Sequence, residues 1–229
     1  MPGMSEKMIR KLTEGREYRR IDVSGIQLRE DGQGRMIVEG YATTFNQFYE
    51  LYRSRWYILN EQVDPHSFDG CDVSDVIFQY NHEGRVMART RNNTLELEAD
   101  SHGLKIRADL GGTALGRQLY EEIKGGYTDR MSFGFRVKSD KREEIEDHES
   151  GTITINRTIL AFEKLYDVSA VSIPANDFTE ISARGYADGV IEELKALEER
   201  RAKERQKREQ MLGEIRDLLV KKDKPKTEN

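Results

Sequence analysis

Between residues 18 and 184 the apolar positions recur mainly with a period of two, the spacing of strands that bury one face. "YRRIDVSGIQL" and "GRMIVEGYATTF" predict two strands joined by the polar turn "REDGQGR". "VSDVIFQYNH" predicts a strand with Val76, Phe78, Tyr80 and His82 on one face. "NTLELEADSHGLKIRADL" alternates on both arms: Leu95, Leu97 and Ala99, then Leu104, Ile106, Ala108 and Leu110, with "DSHG" as the turn of a hairpin. In "YTDRMSFGFRV" the larger apolar residues Met131, Phe133, Phe135 and Val137 share one face. Ser132, Gly134 and Arg136 share the other, which predicts a groove beside a hydroxyl. On this stretch alone, an ordinary solvated sheet surface accounts for the serine better. A polar excursion, "SDKREEIEDHESGT", then leads to two more strands. The last, "LAFEKLYDVSAVSIPAN", is apolar on both faces and predicts a central strand that stops at Pro174.

Two segments follow a helical period instead. "TALGRQLYEEIKGG" spaces Leu115, Leu119 and Ile123 four apart on one face. Thr113 caps its start, and Gly125 and Gly126 end it. Beyond Gly185, "DGVIEELKALEERRAKERQKREQMLGEIRDLLVKK" is dense in Glu, Lys and Arg at helical spacing. It predicts an exposed helix of roughly 50 Å. Its apolar residues gather at the ends: Val190, Ile191, Leu194 and Leu197, then Met211, Leu212, Ile215, Leu218 and Leu219. A solvated helix docked by its ends and a helix that pairs with another helical protein both fit. The expected organisation is a flexible lead-in over 1–17, a β domain over 18–184, a charged helical tail over 185–222 and a disordered end over 223–229.

Composition narrows the function classes. The 229 residues carry 34% charged and 36% hydrophobic side chains, so the core is compact and the remainder very polar. A net charge of −5 gives no reason to expect a nucleic-acid partner. No apolar run has the length of a membrane span, and "MPGMSEKMIRKLTEG" lacks a signal-peptide core. A single cysteine, Cys71, allows no disulfide framework and fits a cytoplasm. It lies in "FDGCDVSD", where neighbouring aspartates disfavour the thiolate. One cysteine and four scattered histidines have no zinc-site spacing, and "GQGR" and "LGGTALG" lack the lysine of a phosphate loop, so no cofactor is expected.

The remaining candidate chemistry is a nucleophilic serine. Ser132 would need a base, and histidine is the usual one. His102 falls in the hairpin turn, His148 in an acidic loop and His66 in the loop "VDPHSF". His82 alone ends an apolar strand, partly desolvated. A third group orients such a histidine. Asp167 is the first candidate, because an acid inside the apolar strand "KLYDVSAVSI" needs a partner. Glu83 and Glu163 remain alternatives. The "GxSxG" turn of the common esterases is absent around Ser132, so a small-ester hydrolase is the weaker reading.

Five pieces in order carry a family resemblance: "VEGYATTFNQ", "DPHSF", "YNHEGRVMART", "MSFGFRV" and "LYDVSAVSIPANDFTEISAR". Over roughly residues 21–183 the chain resembles the prohead proteases of tailed double-stranded-DNA bacteriophages, which are distantly similar to herpesvirus assemblins. The resemblance implies a mainly β fold with flanking helices, built as a closed or partly open β-barrel. It implies a serine endopeptidase that cleaves scaffold protein, or the scaffolding segment of the capsid protein, inside the immature prohead in the host cytoplasm, and that commonly cleaves itself. Its partners would be phage scaffold and major capsid protein, with a homo-oligomer possible and no membrane or nucleic acid. Ser132 would be the nucleophile and His82 the general base. Asp167 would be the third member, where many relatives carry glutamate. The resemblance also brings His66 near the site as a second histidine. Gly134 would leave room for an extended substrate strand beside Ser132, and backbone N–H groups would form the oxyanion hole. The competing reading is a non-enzymatic scaffolding protein that retains the barrel.

Overall fold

In the computed structural model of the chain, residues 15–21, 26–30, 34–172 and 186–222 are described. The period-two segments form eleven strands: β1 (Glu17–Ile21), β2 (Gln27–Glu30), β3 (Met36–Thr44), β4 (Tyr49–Arg53), β5 (Tyr57–Val63), β6 (Ile77–Tyr80), β7 (Glu83–Arg89), β8 (Leu95–Ala99), β9 (Gly103–Asp109), β10 (Arg130–Asp147) and β11 (Thr152–Val171). Among the described residues there are also two α-helices, α1 (Ala114–Lys124) and α2 (Tyr186–Lys222). The chain divides into two compact units, residues 1–190 and 191–229.

The strands pair into two sheets. In the larger, the order is β1-β10-β11-β5-β4, and β6 joins β11 on one side and β7 on the other. The smaller has the order β2-β3-β9-β8. The fold is therefore mostly β with helices, as the pattern predicts, but no ring of pairings closes among the described residues. Of the expected closed or partly open barrel, the closed form is not found there. "YRRIDVSGIQL" also divides, giving β1 to the larger sheet and β2 to the smaller.

β11 is central because both its faces are apolar. It pairs antiparallel with β10 along its length, and on its other edge runs parallel to β5 and then to β6. It is one strand of 20 residues where two were expected. The polar excursion is likewise the outer half of β10, since Lys141–Asp147 pairs with Thr152–Thr158 as a charged ribbon. Backbone pairing, which side-chain polarity does not reveal, carries the strand onward. Pro174 lies outside the described residues.

One hydrophobic core unites residues of both sheets. Phe133 and Phe135 stack at 4.7 Å, and Phe162 meets Phe135 edge-on at 4.9 Å. Val38 and Ile106 of the smaller sheet belong to the same cluster. Helix α1 adds Leu119, Tyr120 and Ile123, while Leu115, expected on that face, is exposed. Thr113 caps α1 by accepting from the Gly116 N–H at 2.9 Å.

Beneath β1 lies a cluster of four buried charges that the sequence pattern does not announce. Arg19 donates to Glu61 at 2.5 Å and to Glu17 at 2.6 Å. Arg157 donates to Glu61 at 2.7 Å and to Glu17 at 3.0 Å. All four residues are at most 1% exposed, and each acid is shared between two guanidinium groups. This pairing offsets the cost of burial and ties β1 to β5 and β11.

Candidate active site

The register of β10 against β11 sets the site. Ser132 pairs with Ser169, and Gly134 pairs with Asp167. These residues share one face of the sheet, while Met131, Phe133 and Phe135 point into the core from the other. A register shift follows Gly134, so the strand bends immediately beside the site.

His82 reaches this face from the turn between β6 and β7. His82 does not continue the strand in phase with Phe78 and Tyr80, as the alternation predicts: β6 ends at Tyr80, which pairs with Glu83. Asn81 and His82 form a two-residue hairpin turn, with φ of 49° and 60°. Two consecutive positive φ values define a type I′-like turn, disfavoured for residues with a Cβ but least so for Asn and His. Hydrogen bonds hold the strained turn to β11 and to Ser172 just beyond it. The Asn81 N–H donates to the Ala170 carbonyl at 3.0 Å, and the Asn81 side chain accepts from the Ser172 N–H at 3.3 Å. Such outliers concentrate at functional sites.

The imidazole bridges the serine and the acid. His82 Nε2 lies 2.6 Å from Ser132 Oγ, and His82 Nδ1 hydrogen-bonds Asp167 Oδ1. The neutral tautomer that donates Nδ1–H to the carboxylate leaves Nε2 as acceptor for the serine proton. Ser132 Oγ is also 2.8 Å from the Arg19 carbonyl of β1, a second acceptor for the same proton. Tyr18 of β1 packs edge-on against the His82 ring at 4.6 Å. Asp167 is fully buried, which by itself pushes its carboxyl up. The hydrogen bond from His82, the Arg16 guanidinium and the Ser169 hydroxyl hold it below the usual carboxylate range despite that burial. Ser169 Oγ donates to Asp167 Oδ1 at 2.9 Å, and Arg16 donates to Oδ2.

Gly134 has a role other than the expected one. A Cβ there would lie 2.4 Å from Asp167 Oδ2, 2.9 Å from Tyr18 Cε1 and 3.1 Å from Arg16 Nη2. The space beside Ser132 is filled by the acid and by β1, and the absent side chain is what admits Asp167. The shorter aspartate reaches His82 because its partner strand offers no Cβ opposite.

The other candidates lie elsewhere. Glu83 is exposed, and Glu163 is exposed and pairs with Arg136 at 3.7 Å. His66, expected near the site, is an exposed residue whose ring meets Asp69 at 3.1 Å. His102 packs edge-on against Tyr41, and His148 is exposed. The Cys71 thiol is pushed up to about 11, first by burial and secondarily by Asp72. Among the described residues no group of acids, histidines and cysteines could hold a metal ion, and no helix is long and apolar enough to cross a membrane. Sequence reasoning missed Arg16, Tyr18 and Ser169. Ser169 could have been found two residues beyond Asp167 on the same strand face. Arg16 carries no such signal, being 151 residues from its partner.

A hydroxyl, a base within reach of its proton and a buried carboxylate behind the base are the parts required for acyl transfer through a covalent intermediate. No curated protein and no solved structure matches the chain. A scan against family models matches residues 24–190, well over half of the chain, to the family described as caudovirus prohead serine protease, and the chain belongs to that family of serine peptidases of phage capsid maturation.

Proposed function

We propose that Ser132, His82 and Asp167 form the catalytic triad of a prohead endopeptidase, with Ser132 as nucleophile. His82, bridging the other two, is the observation that carries the assignment. Nε2 takes the Ser132 proton as Oγ attacks the scissile carbonyl. His82 then returns the proton to the leaving amine, and water hydrolyses the acyl-enzyme. Asp167 keeps the tautomer and stabilises the imidazolium. Family membership supports scaffold protein, or the scaffolding segment of the capsid protein, as substrate inside the prohead, and supports cleavage of the chain itself. The two sheets, sharing one core, fit a partly open barrel over 18–184. The charged helix after Gly185 would recruit the enzyme to helical scaffold, and self-cleavage between the β domain and this helix, somewhere after Ala183, would release it.

Intact-mass spectrometry of the full chain beside its Ser132→Ala variant tests this reading. Loss of the C-terminal segment from the wild type alone is expected. If both stay whole, purified scaffold mixed with each decides, and a scaffold left intact by the wild type refutes the assignment. Equal clipping of both chains would mean that another protease made the cut, and scaffold decides again. A chain ending at Ala183 that packages as well as the full chain would refute the recruiting role.

A further inference from the structure

Asp167 has a partner that the triad does not require. Its Oδ1 faces His82 and Ser169, while its Oδ2 turns the other way, towards Gly134, and accepts from Arg16. The carboxylate is fully buried. Without a donor on that side, Oδ2 would be a charged acceptor left unsatisfied in a closed space.

Arg16 is held where it is needed. It immediately precedes β1, and its guanidinium carbon lies 4.9 Å from the Tyr18 ring centroid and 4.6 Å from that of Tyr166. Faces of two aromatic rings fix a planar cation that is itself 37% exposed. β1 is anchored in turn by Glu17 and Arg19 in the buried charge cluster. The residues matched to the family begin at 24, so Arg16 lies ahead of them.

We propose that Arg16 is a positioning residue of the triad, holding Asp167 in the orientation that faces His82 and setting the pH at which Ser132 becomes reactive. The proposal rests on the triad reading above. Two effects follow. The guanidinium fixes Oδ2, and thereby the line from Oδ1 through the imidazole to Oγ. It also places a positive charge behind the acid, which opposes a second positive charge on His82. Among the described residues, the groups that meet that imidazole are Asp167 from β11, Ser132 from β10 and Tyr18 from β1, and Arg16, ahead of β1, meets the acid behind it. The adjacent Glu83 is exposed. Lys164, beyond Tyr166 at 5.7 Å, is paired with Asp72 at 2.7 Å. Among the described residues, Arg16 is the cation paired directly with the acid behind His82.

The test measures the rate at which a fluorophosphonate labels the full-length protein between pH 5 and pH 9, a readout that needs no identified substrate. In Arg16→Met the plateau rate should fall by about tenfold. The acid limb should move up by about half to one pH unit as the opposing charge is removed. Arg16→Lys should return the limb to its wild-type position. In an Asp167→Asn background, Arg16→Met should add little, because its effect passes through the acid. A wild-type profile in Arg16→Met, a lower plateau with an unmoved limb, or a full additional loss in the Asp167→Asn background would each overturn the proposal. If Arg16→Met melts early, Arg16→Gln carries the same expectations. Ser132→Ala separates this idea from the one beneath it: unchanged labelling there sinks the triad, whereas lost labelling together with an unmoved Arg16→Met limb sinks Arg16 alone.

Discussion

Single atoms decide the geometry at the site. Gly134→Ala would set a methyl group 2.4 Å from Asp167 Oδ2, and both neighbouring strands are paired, so the carboxylate has to move. The expected result is a loss of at least about a hundredfold in labelling or cleavage rate, with about 1–3 kcal/mol of destabilisation, read by kinetics and by urea unfolding. Asp167→Asn keeps the shape and removes the charge. It should lower the rate by about 10³–10⁴-fold while the protein stays folded by circular dichroism. At this scale the sequence was partly legible. Ser132 stood out as a hydroxyl beside a glycine, and Asp167 as an acid in an apolar strand. The purpose of Gly134 was not legible, because the atoms it accommodates come from β1 and β11, far away in the chain.

The elements show where periodicity succeeds and where it stops. The hairpin of β8 and β9 and the helix α1 follow from local pattern and capping, and Thr113→Ala should cost about 1 kcal/mol in thermal or urea unfolding. The position of His82 did not follow. Alternation extends it along β6, whereas the chain turns at Asn81, which the polar "NHEG" permits and the pairing of Tyr80 with Glu83 enforces. The charged residues of β1 read as a surface strand, yet Glu17 and Arg19 are buried against Glu61 and Arg157. Glu61→Gln leaves two guanidinium groups short of a counter-charge. It should destabilise the fold by about 3–5 kcal/mol, measured by urea unfolding.

For the whole molecule, the same cluster sets the response to acid. Burial pushes the Glu61 carboxyl up, but Arg19 and Arg157 outweigh it and draw it from 4.5 to about 2. A carboxyl whose folded value is depressed adds stability that is present above its unfolded value and is lost as pH falls towards the folded one. Asp167 and Asp140 are lowered in the same direction. Melting temperature should therefore fall steeply from about pH 4.5 towards pH 2, and Glu61→Gln should flatten that fall. Calorimetry across this range checks both. A wild-type curve no steeper than that of Glu61→Gln would remove the cluster as the cause.

By itself the sequence determined the mostly β class, the capped helix α1 and the charged helix α2, and it offered a serine, a histidine and an acid as candidates that the fold brings together. These are local properties, written in the period of apolar residues and in residue chemistry. Tertiary structure alone decided that the strands pair as two sheets, that His82 approaches from a turn, that β1 pairs beside Ser132 and that Arg16 meets Asp167. Each of these depends on which strands lie side by side, and backbone hydrogen bonding between distant segments leaves little trace in the pattern of either one.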